Sequence, residues 1–98
     1  MEYNVILTLK CEQDIDEAFV WYEEQQMGLG LRFYREVRSH LDRLVTTPKS
    51  FPVKLDSSIR ELTLSLFPFV IVYEIIGEEV MVYRVFSTSQ NPKKKISP

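Results

Sequence analysis

The sequence predicts a two-layer α+β domain in which an N-terminal strand and a helical hairpin precede a C-terminal antiparallel sheet, in the order β-α-α-β-β-β. Three observations carry this prediction. Apolar residues recur at helical spacing in two consecutive segments separated by a glycine turn. They alternate, or run continuously, in three short segments towards the C-terminus. The 98 residues are enough for one hydrophobic core and too few for two, so a single domain over 1–98 is expected. Two amphipathic helices joined by a short turn bury both apolar stripes most simply against one face of a sheet.

Residues 3–9 carry Val5, Ile6, Leu7 and Leu9 with Thr8 between them and read as a strand. Ile15, Ala18, Phe19 and Tyr22 then follow the i, i+3, i+4, i+7 rule of one helical face, with acids crowding the first turn where the helix dipole favours them. This predicts a helix over 12–26. Met27-Gly28-Leu29-Gly30 ends it, because glycine adopts the left-handed conformation of a helix terminus at little cost. Phe33, Val37, Leu41 and Leu44 repeat the helical spacing, Arg35, Arg38 and Asp42 occupy the opposite face, and Pro48 lies just beyond, which predicts a second helix over 31–45.

The stretch Thr47-Pro48-Lys49-Ser50-Phe51-Pro52 has turn chemistry and leads through Ser57-Ser58 into the sheet. Residues 59–66 alternate imperfectly as a strand. Residues 69–76 are almost continuously apolar, as in a central strand. Gly77-Glu78 suits a two-residue hairpin turn of type II′, which returns the chain as a last strand over 80–86. Strict alternation places Val80, Val82, Arg84 and Phe86 on one face of that strand and Met81, Tyr83 and Val85 on the other. The tail over 92–98 lacks periodicity and is expected to be flexible.

The net charge is −2 and the pI about 5.4, which argues against coating nucleic acid through bulk positive charge. The charges are nevertheless segregated. Glu12, Asp14, Asp16, Glu17, Glu23 and Glu24 form a stretch without a base, whereas Arg32, Arg35, Arg38, Arg43, Lys49, Lys54 and Arg60 follow with only Glu36, Asp42 and Asp56 among them. Charge pairing between neighbouring helices is the plain reading of this pattern. The longest mostly apolar stretch, 62–76, is interrupted by polar residues and falls short of the roughly 20 apolar residues of a membrane span. A lone Cys11, with no secretory leader, fits the cytoplasm.

One histidine and one cysteine are too few for a structural zinc site, and no calcium-loop spacing occurs, so neither metal nor cofactor is expected. His40 lies between Val37 and Leu41 and is read as a packed helical residue. Trp21 and Tyr22, beside Phe19, are read as anchors of helix to sheet. Cys11 has no partner base in the sequence that would make it a nucleophile. Gly28-x-Gly30 follows a helix and lacks the third glycine of a dinucleotide loop.

Trp21-Tyr22-Glu23-Glu24-Gln25, then Gly28-Leu29-Gly30 with Phe33, then Arg60, Phe67-Pro68-Phe69, Tyr73 and finally Val85-Phe86-Ser87-Thr88-Ser89-Gln90-Asn91-Pro92 resemble, in order and spacing, the RelE/ParE superfamily of type II toxins, also called the plasmid stabilisation family. The resemblance covers nearly the whole chain. It implies a RelE-like fold, a co-expressed antitoxin that wraps the toxin, and a bacterial target in translation or DNA topology.

RelE-like members cut ribosome-bound mRNA with basic and acid-base residues, and ParE-like members act on DNA gyrase without that constellation. Many relatives end the last strand in a pattern like His-x-x-Arg-x-Pro followed by a C-terminal aromatic. Here the corresponding residues are Ser87, Gln90 and Pro92, and no aromatic follows. A serine hydroxyl does not exchange a proton near neutral pH as imidazole does, and Gln90 brings no charge to a developing phosphorane. Arg60, Arg84 and Tyr83 remain as candidate catalytic residues. The plain alternative is that Arg60 decorates a strand and Arg84 pairs with an acid such as Glu74.

The resemblance therefore implies, first, a ParE-like toxin that acts by binding. A ribosome-dependent mRNA endonuclease and a degenerate, non-toxic antitoxin-binding or regulatory protein are the alternatives. Arg35, Arg38 and Arg43 are candidates to pair an acidic antitoxin segment.

Overall fold

The computed structural model describes residues 2–54 and 57–88. The expected tail over 92–98, and Gln90 with it, lies outside the described residues. In chain order the elements are strand β1 (Asn4–Leu7), helix α1 (Leu9–Gln25), helix α2 (Leu29–Thr46), a 3-10 turn (Pro48–Ser50), and strands β2 (Ile59–Thr63), β3 (Phe69–Ile76) and β4 (Glu79–Ser87). The predicted order β-α-α-β-β-β holds, with both helices packed on one face of a four-stranded sheet. Strands β2, β3 and β4 are antiparallel, and the sheet order is β1-β4-β3-β2. Strand β1 joins β4 in parallel, Val5 opposite Val80 and Leu7 opposite Val82, because the helical hairpin carries the chain back over the sheet.

Thr8 converts strand into helix. Its N–H donates to the Val82 carbonyl (3.1 Å) and its hydroxyl to the Tyr83 carbonyl (3.0 Å), which extends the β1–β4 ladder by one residue. The same hydroxyl oxygen accepts the Cys11 N–H (3.0 Å) as a helix N-cap. Helix α1 therefore begins at Leu9, where alternation predicts strand to residue 9 and helix only from residue 12.

The helical hairpin turns on Glu23 and two glycines. Gly28 takes the left-handed conformation (φ +87°) immediately before α2, which starts two residues earlier than predicted. The Glu23 carboxylate accepts the N–H groups of Gly28 (2.8 Å) and Gly30 (2.9 Å), the second of which is a free donor of the first helical turn. Gly30 is needed for a different reason from Gly28. A Cβ there would stand 2.5 Å from the Phe19 carbonyl oxygen, so its absence lets the two helices touch.

Beneath the hairpin lies an aromatic cluster in which Tyr22 and Phe33 of the helices pack against Phe67 and Phe69 at ring-centroid separations of 4.9–6.1 Å. Ile71, Tyr73, Val80, Val82, Val37 and Leu44 complete the core with almost no exposed surface. Tyr22 is thus the helix-to-sheet anchor expected of it. Trp21 is not: it is 52% exposed and stands edge-on to Tyr22, because it projects one residue off the buried stripe of α1.

Two strand predictions are corrected. Strand β2 ends at Thr63 and not at residue 66, because Glu36 of α2 accepts the N–H groups of Ser65 (2.6 Å) and Leu66 (3.0 and 3.1 Å) and draws the chain out of the ladder. In β4 the register slips: Arg84 is opposite Val72 but Val82 is opposite Tyr73, so Tyr83 is an inserted residue, a β-bulge. The bulge reverses the alternation beyond it. Val80, Val82 and Val85 share the buried side, and Arg84 and Phe86 do not, contrary to the strict alternation of the sequence.

Two predictions follow from this packing. Gly30→Ala is expected to cost about 2 kcal/mol, roughly 10 °C in Tm for a domain of this size, by forcing the helices apart. Gly28→Ala, at a positive φ but with no atom within 4 Å of the added methyl, should cost about 1 kcal/mol. Thermal denaturation followed by circular dichroism reads both, and equal losses would contradict the close-approach explanation. Cys11 is fully buried, and burial, reinforced by Asp14 and Glu12 and opposed by Arg84, pushes its thiol from 9.0 up to about 12. The native protein should resist maleimide near neutral pH and label promptly once denatured; native labelling at the rate of a free thiol would contradict this.

Candidate functional site

The C-terminal half of β4 holds three of the residues that the sequence singles out, Tyr83, Arg84 and Ser87. Strand β1 covers β4 only as far as Val82, so the β4 edge beyond it needs other partners. Thr8 supplies the first. The second is Asp14, one turn into α1, whose Oδ2 accepts the N–H of Val85 (3.1 Å). Arg84 then closes on the same carboxylate from its other side, with Nε 2.6 Å from Oδ2 and Nη2 3.1 Å from Oδ1.

The Asp14 side chain is only 6% exposed, so its charge requires these donors. The hydrogen bond to Asp14 holds the Arg84 guanidinium above its ordinary pKa. The Arg84 carbon also sits 5.6 Å from the centre of the Phe86 ring. Asp14, and not Glu74, is therefore the acid that pairs Arg84.

Tyr83, displaced by the bulge, donates its phenol to Glu74 Oε1 (2.7 Å), and Ser58 donates its hydroxyl to Oε2. The hydrogen bonds from Ser58 and then Tyr83 lower the pKa of Glu74, and the same bond to Glu74 raises that of Tyr83. The phenol is thus held protonated as a donor. Ser87 ends β4 opposite Phe69 and is half-buried.

Arg60 lies at the far side of the sheet, on β2, where it is opposite Tyr73. Its Nη1 donates to the carbonyls of Phe51 (2.6 Å) and Lys49 (3.3 Å), and the Tyr73 hydroxyl donates to the Pro48 carbonyl (2.7 Å). Burial pushes the Tyr73 phenol up to about 12, against the pull of Arg60. Arg60 and Tyr73 together hold the 3-10 turn beneath the sheet edge.

The three catalytic candidates from the sequence leave the sheet in three directions: Arg60 to the turn after α2, Tyr83 to Glu74, and Arg84 over the β4 edge to Asp14. They do not converge. The histidine of the chain does not join them: His40 Nδ1 is 2.8 Å from the Glu36 carbonyl on α2, and its Nε2 is 4.0 Å from the Glu36 carboxylate. Among the described residues no group of His, Cys, Asp and Glu is arranged to hold a metal ion, and no helix is long and apolar enough to cross a membrane.

The arginines of α2 divide. Arg38 forms an exposed pair with Asp42 (3.6 Å), the Arg43 carbon lies 4.8 Å from the centre of the Phe51 ring, and Arg32 and Arg35 have no ion-pair partner among the described residues. Sequence reasoning misses Asp14, Glu23, Glu36 and Arg32. The signal for Asp14 is present all the same, because Cys11, Asp14, Ile15 and Ala18 stand at i, i+3, i+4 and i+7, the buried face of α1. An acid on that stripe must have a partner.

Residues 5–92 match the family described as the ParE toxin of the type II toxin-antitoxin system, parDE. No curated protein matches the chain by sequence. Among solved structures, the chromosomal ParDE toxin-antitoxin system from P. aeruginosa superposes with a TM-score of 0.80 at 18% identity, covering 90% of this chain and 98% of that one. A mutant of the E. coli toxin RelE, in complex with a peptide of the antitoxin RelBc, superposes with a TM-score of 0.63 at 14% identity, covering 100% of this chain and 96% of that one. At these identities the likeness is one of fold, and the assignment rests on the family match across nearly the whole sequence: the chain belongs to the ParE toxin family of type II toxin-antitoxin systems.

Proposed function

We propose that the protein is a growth-inhibiting toxin that acts in the cytoplasm by binding DNA gyrase, not by cutting RNA, and that a co-expressed antitoxin holds it inactive. The observation that carries this reading is the engagement of Arg84. A ribonuclease arginine must be free to meet the charge that builds on phosphate in the transition state. Here its guanidinium is clamped in two hydrogen bonds by a buried carboxylate that also secures the neighbouring backbone.

Arg60 supports the same reading, because its Nη1 donates to carbonyls of the 3-10 turn and of the residue that follows it. A nuclease also needs a group that exchanges a proton near neutral pH. Tyr83 is held in its protonated form by Glu74, and Ser87 stands where the family resemblance implies a histidine in the nuclease members. Toxicity through association needs none of these. It needs a rigid surface, which the ties from Asp14, Glu23 and Glu36 supply. The antitoxin expected of this family is proposed to cover that surface, with Arg35, alone of the α2 candidates Arg35, Arg38 and Arg43, lacking a partner among the described residues.

Tightly induced expression of the chain alone in bacterial cells, following growth, mRNA ends and plasmid supercoiling in one culture, tests the reading. Growth arrest with altered supercoiling and intact mRNA is the expected outcome, relieved by the co-expressed antitoxin. New mRNA ends before arrest would establish the nuclease instead, and undisturbed growth with folded protein would establish a disarmed relative.

A further inference from the structure

An open groove of about 550 Å³ runs between the outer face of α2 and the β2–β3 connection, lined by Arg32, Arg35, Ser39, Ser65 and Leu66, with Glu36 and His40 at its floor. Its electrostatics are unusual for a protein of net charge −2. The one carboxylate in the groove, Glu36, accepts the backbone N–H groups of Ser65 and Leu66 and lies 4.0 Å from the His40 ring, and it makes no ion pair with either arginine. Arg32 and Arg35, three residues apart on one helical face, therefore stand as neighbouring positive charges without a partner among the described residues.

The other bases nearby are engaged. Arg38 pairs with Asp42, Arg43 lies over Phe51 and Arg60 reaches the turn carbonyls. On the opposite wall, Glu36 fixes the β2–β3 connection so that Leu66 is left 71% exposed. Exposed arginines this close repel only weakly through water, and a ligand that brings carboxylates and an apolar group together meets both the paired charge and the exposed Leu66.

We propose that this groove is a docking site for an acidic peptide segment of a partner protein, whose carboxylates pair Arg32 and Arg35 and whose adjacent apolar side chain packs on Leu66. The inference rests on the reading that a partner chain covers the toxin, and it names the chemistry of the segment that does so on this face. Arginine suits the task because its planar fork takes a carboxylate in two hydrogen bonds. Ser39 and Ser65 flank the arginines with further hydrogen-bonding groups. The site differs from the α2 triplet picked out by spacing alone. It keeps Arg35, adds Arg32, and sets aside Arg38 and Arg43, which have partners of their own.

The test uses two synthetic peptides of about a dozen residues, one alternating Glu or Asp with Leu and the other with Gln in place of every acid. Binding to the full chain is read by fluorescence anisotropy of the labelled peptide. The acidic peptide is expected to bind at least about tenfold more tightly than the neutral one and to weaken with added salt. The double variant Arg32→Glu/Arg35→Glu should lose about tenfold or more, Leu66→Ser should lose several-fold, and Arg38→Glu on the same helix should change binding less than about twofold. All four positions are exposed, and circular dichroism verifies the fold of each variant.

Equal affinity for the two peptides, or an unchanged affinity in the Arg32/Arg35 variant, would overturn the proposal, as would acidic-peptide binding lost equally in Arg38→Glu. The two readings fail separately. If the double variant is still neutralised by antitoxin in cells and binds the peptide as before, the groove proposal falls and the toxin reading stands. If the peptide binds as expected but expression never slows growth, the toxin reading falls and the groove stands.

Discussion

The buried carboxylate of Asp14 is the constraint on which the rest of the structure depends. Strand β1 is too short to cover β4, and the backbone donor left bare at Val85 would be costly to bury unpaired. Asp14 accepts that donor, but an ionised carboxylate at 6% exposure needs compensation, and Arg84 provides it. For Arg84 to reach round the strand edge while Val85 turns into the core, the alternation of β4 must break between them and Val82. The bulge at Tyr83 is that break. One ion pair thus accounts for the position of α1 over the sheet, the irregularity of β4 and the direction of its arginine.

The same device recurs twice in the helical layer. Glu23 accepts the N–H groups of Gly28 and Gly30 at the hairpin turn, and Glu36 accepts those of Ser65 and Leu66 at the β2–β3 connection. Each carboxylate satisfies backbone donors that no helix or ladder reaches, and each ties two elements together. The functional consequence is a division among the bases. Arg84 and Arg60 are tied to other parts of the fold, and Arg32 and Arg35, without an ion-pair partner among the described residues, face outward, where the proposed acidic segment would pair them.

Much of this was legible in the sequence, and the parts that were not share a cause. Periodicity identifies both helices, the central strand 69–76 and the Gly77 hairpin, because each is governed by its own apolar residues and turn chemistry. The ends of β1 and β2 are not so governed. They are fixed by Thr8 and Glu36, side chains whose partners lie 75 and 30 residues away along the chain. Strict alternation misplaces the face of Arg84 for the same reason, since a bulge moves a side chain to the other face without changing composition. Asp14 could have been found: it stands on the apolar stripe of α1, where a charge requires a partner. That the partner is Arg84 follows only from the parallel pairing of β1 with β4. The serine at 87 is legible at once as a departure from the histidine that the family resemblance implies, because it concerns residue identity and not geometry.

The most direct test of the account is the energetic coupling between Asp14 and Arg84, measured as a double-mutant cycle on unfolding free energy with Asp14→Asn, Arg84→Gln and the double variant. With the Arg84 side chain 40% exposed, solvent screening reduces the coupling below that of a fully buried pair. About 1.5 kcal/mol is expected, with the larger single loss at Asp14, which also holds the Val85 backbone. Single effects that add to within ~0.5 kcal/mol would show that the two side chains are independent, and would leave Arg84 free for the phosphate chemistry that the account denies it.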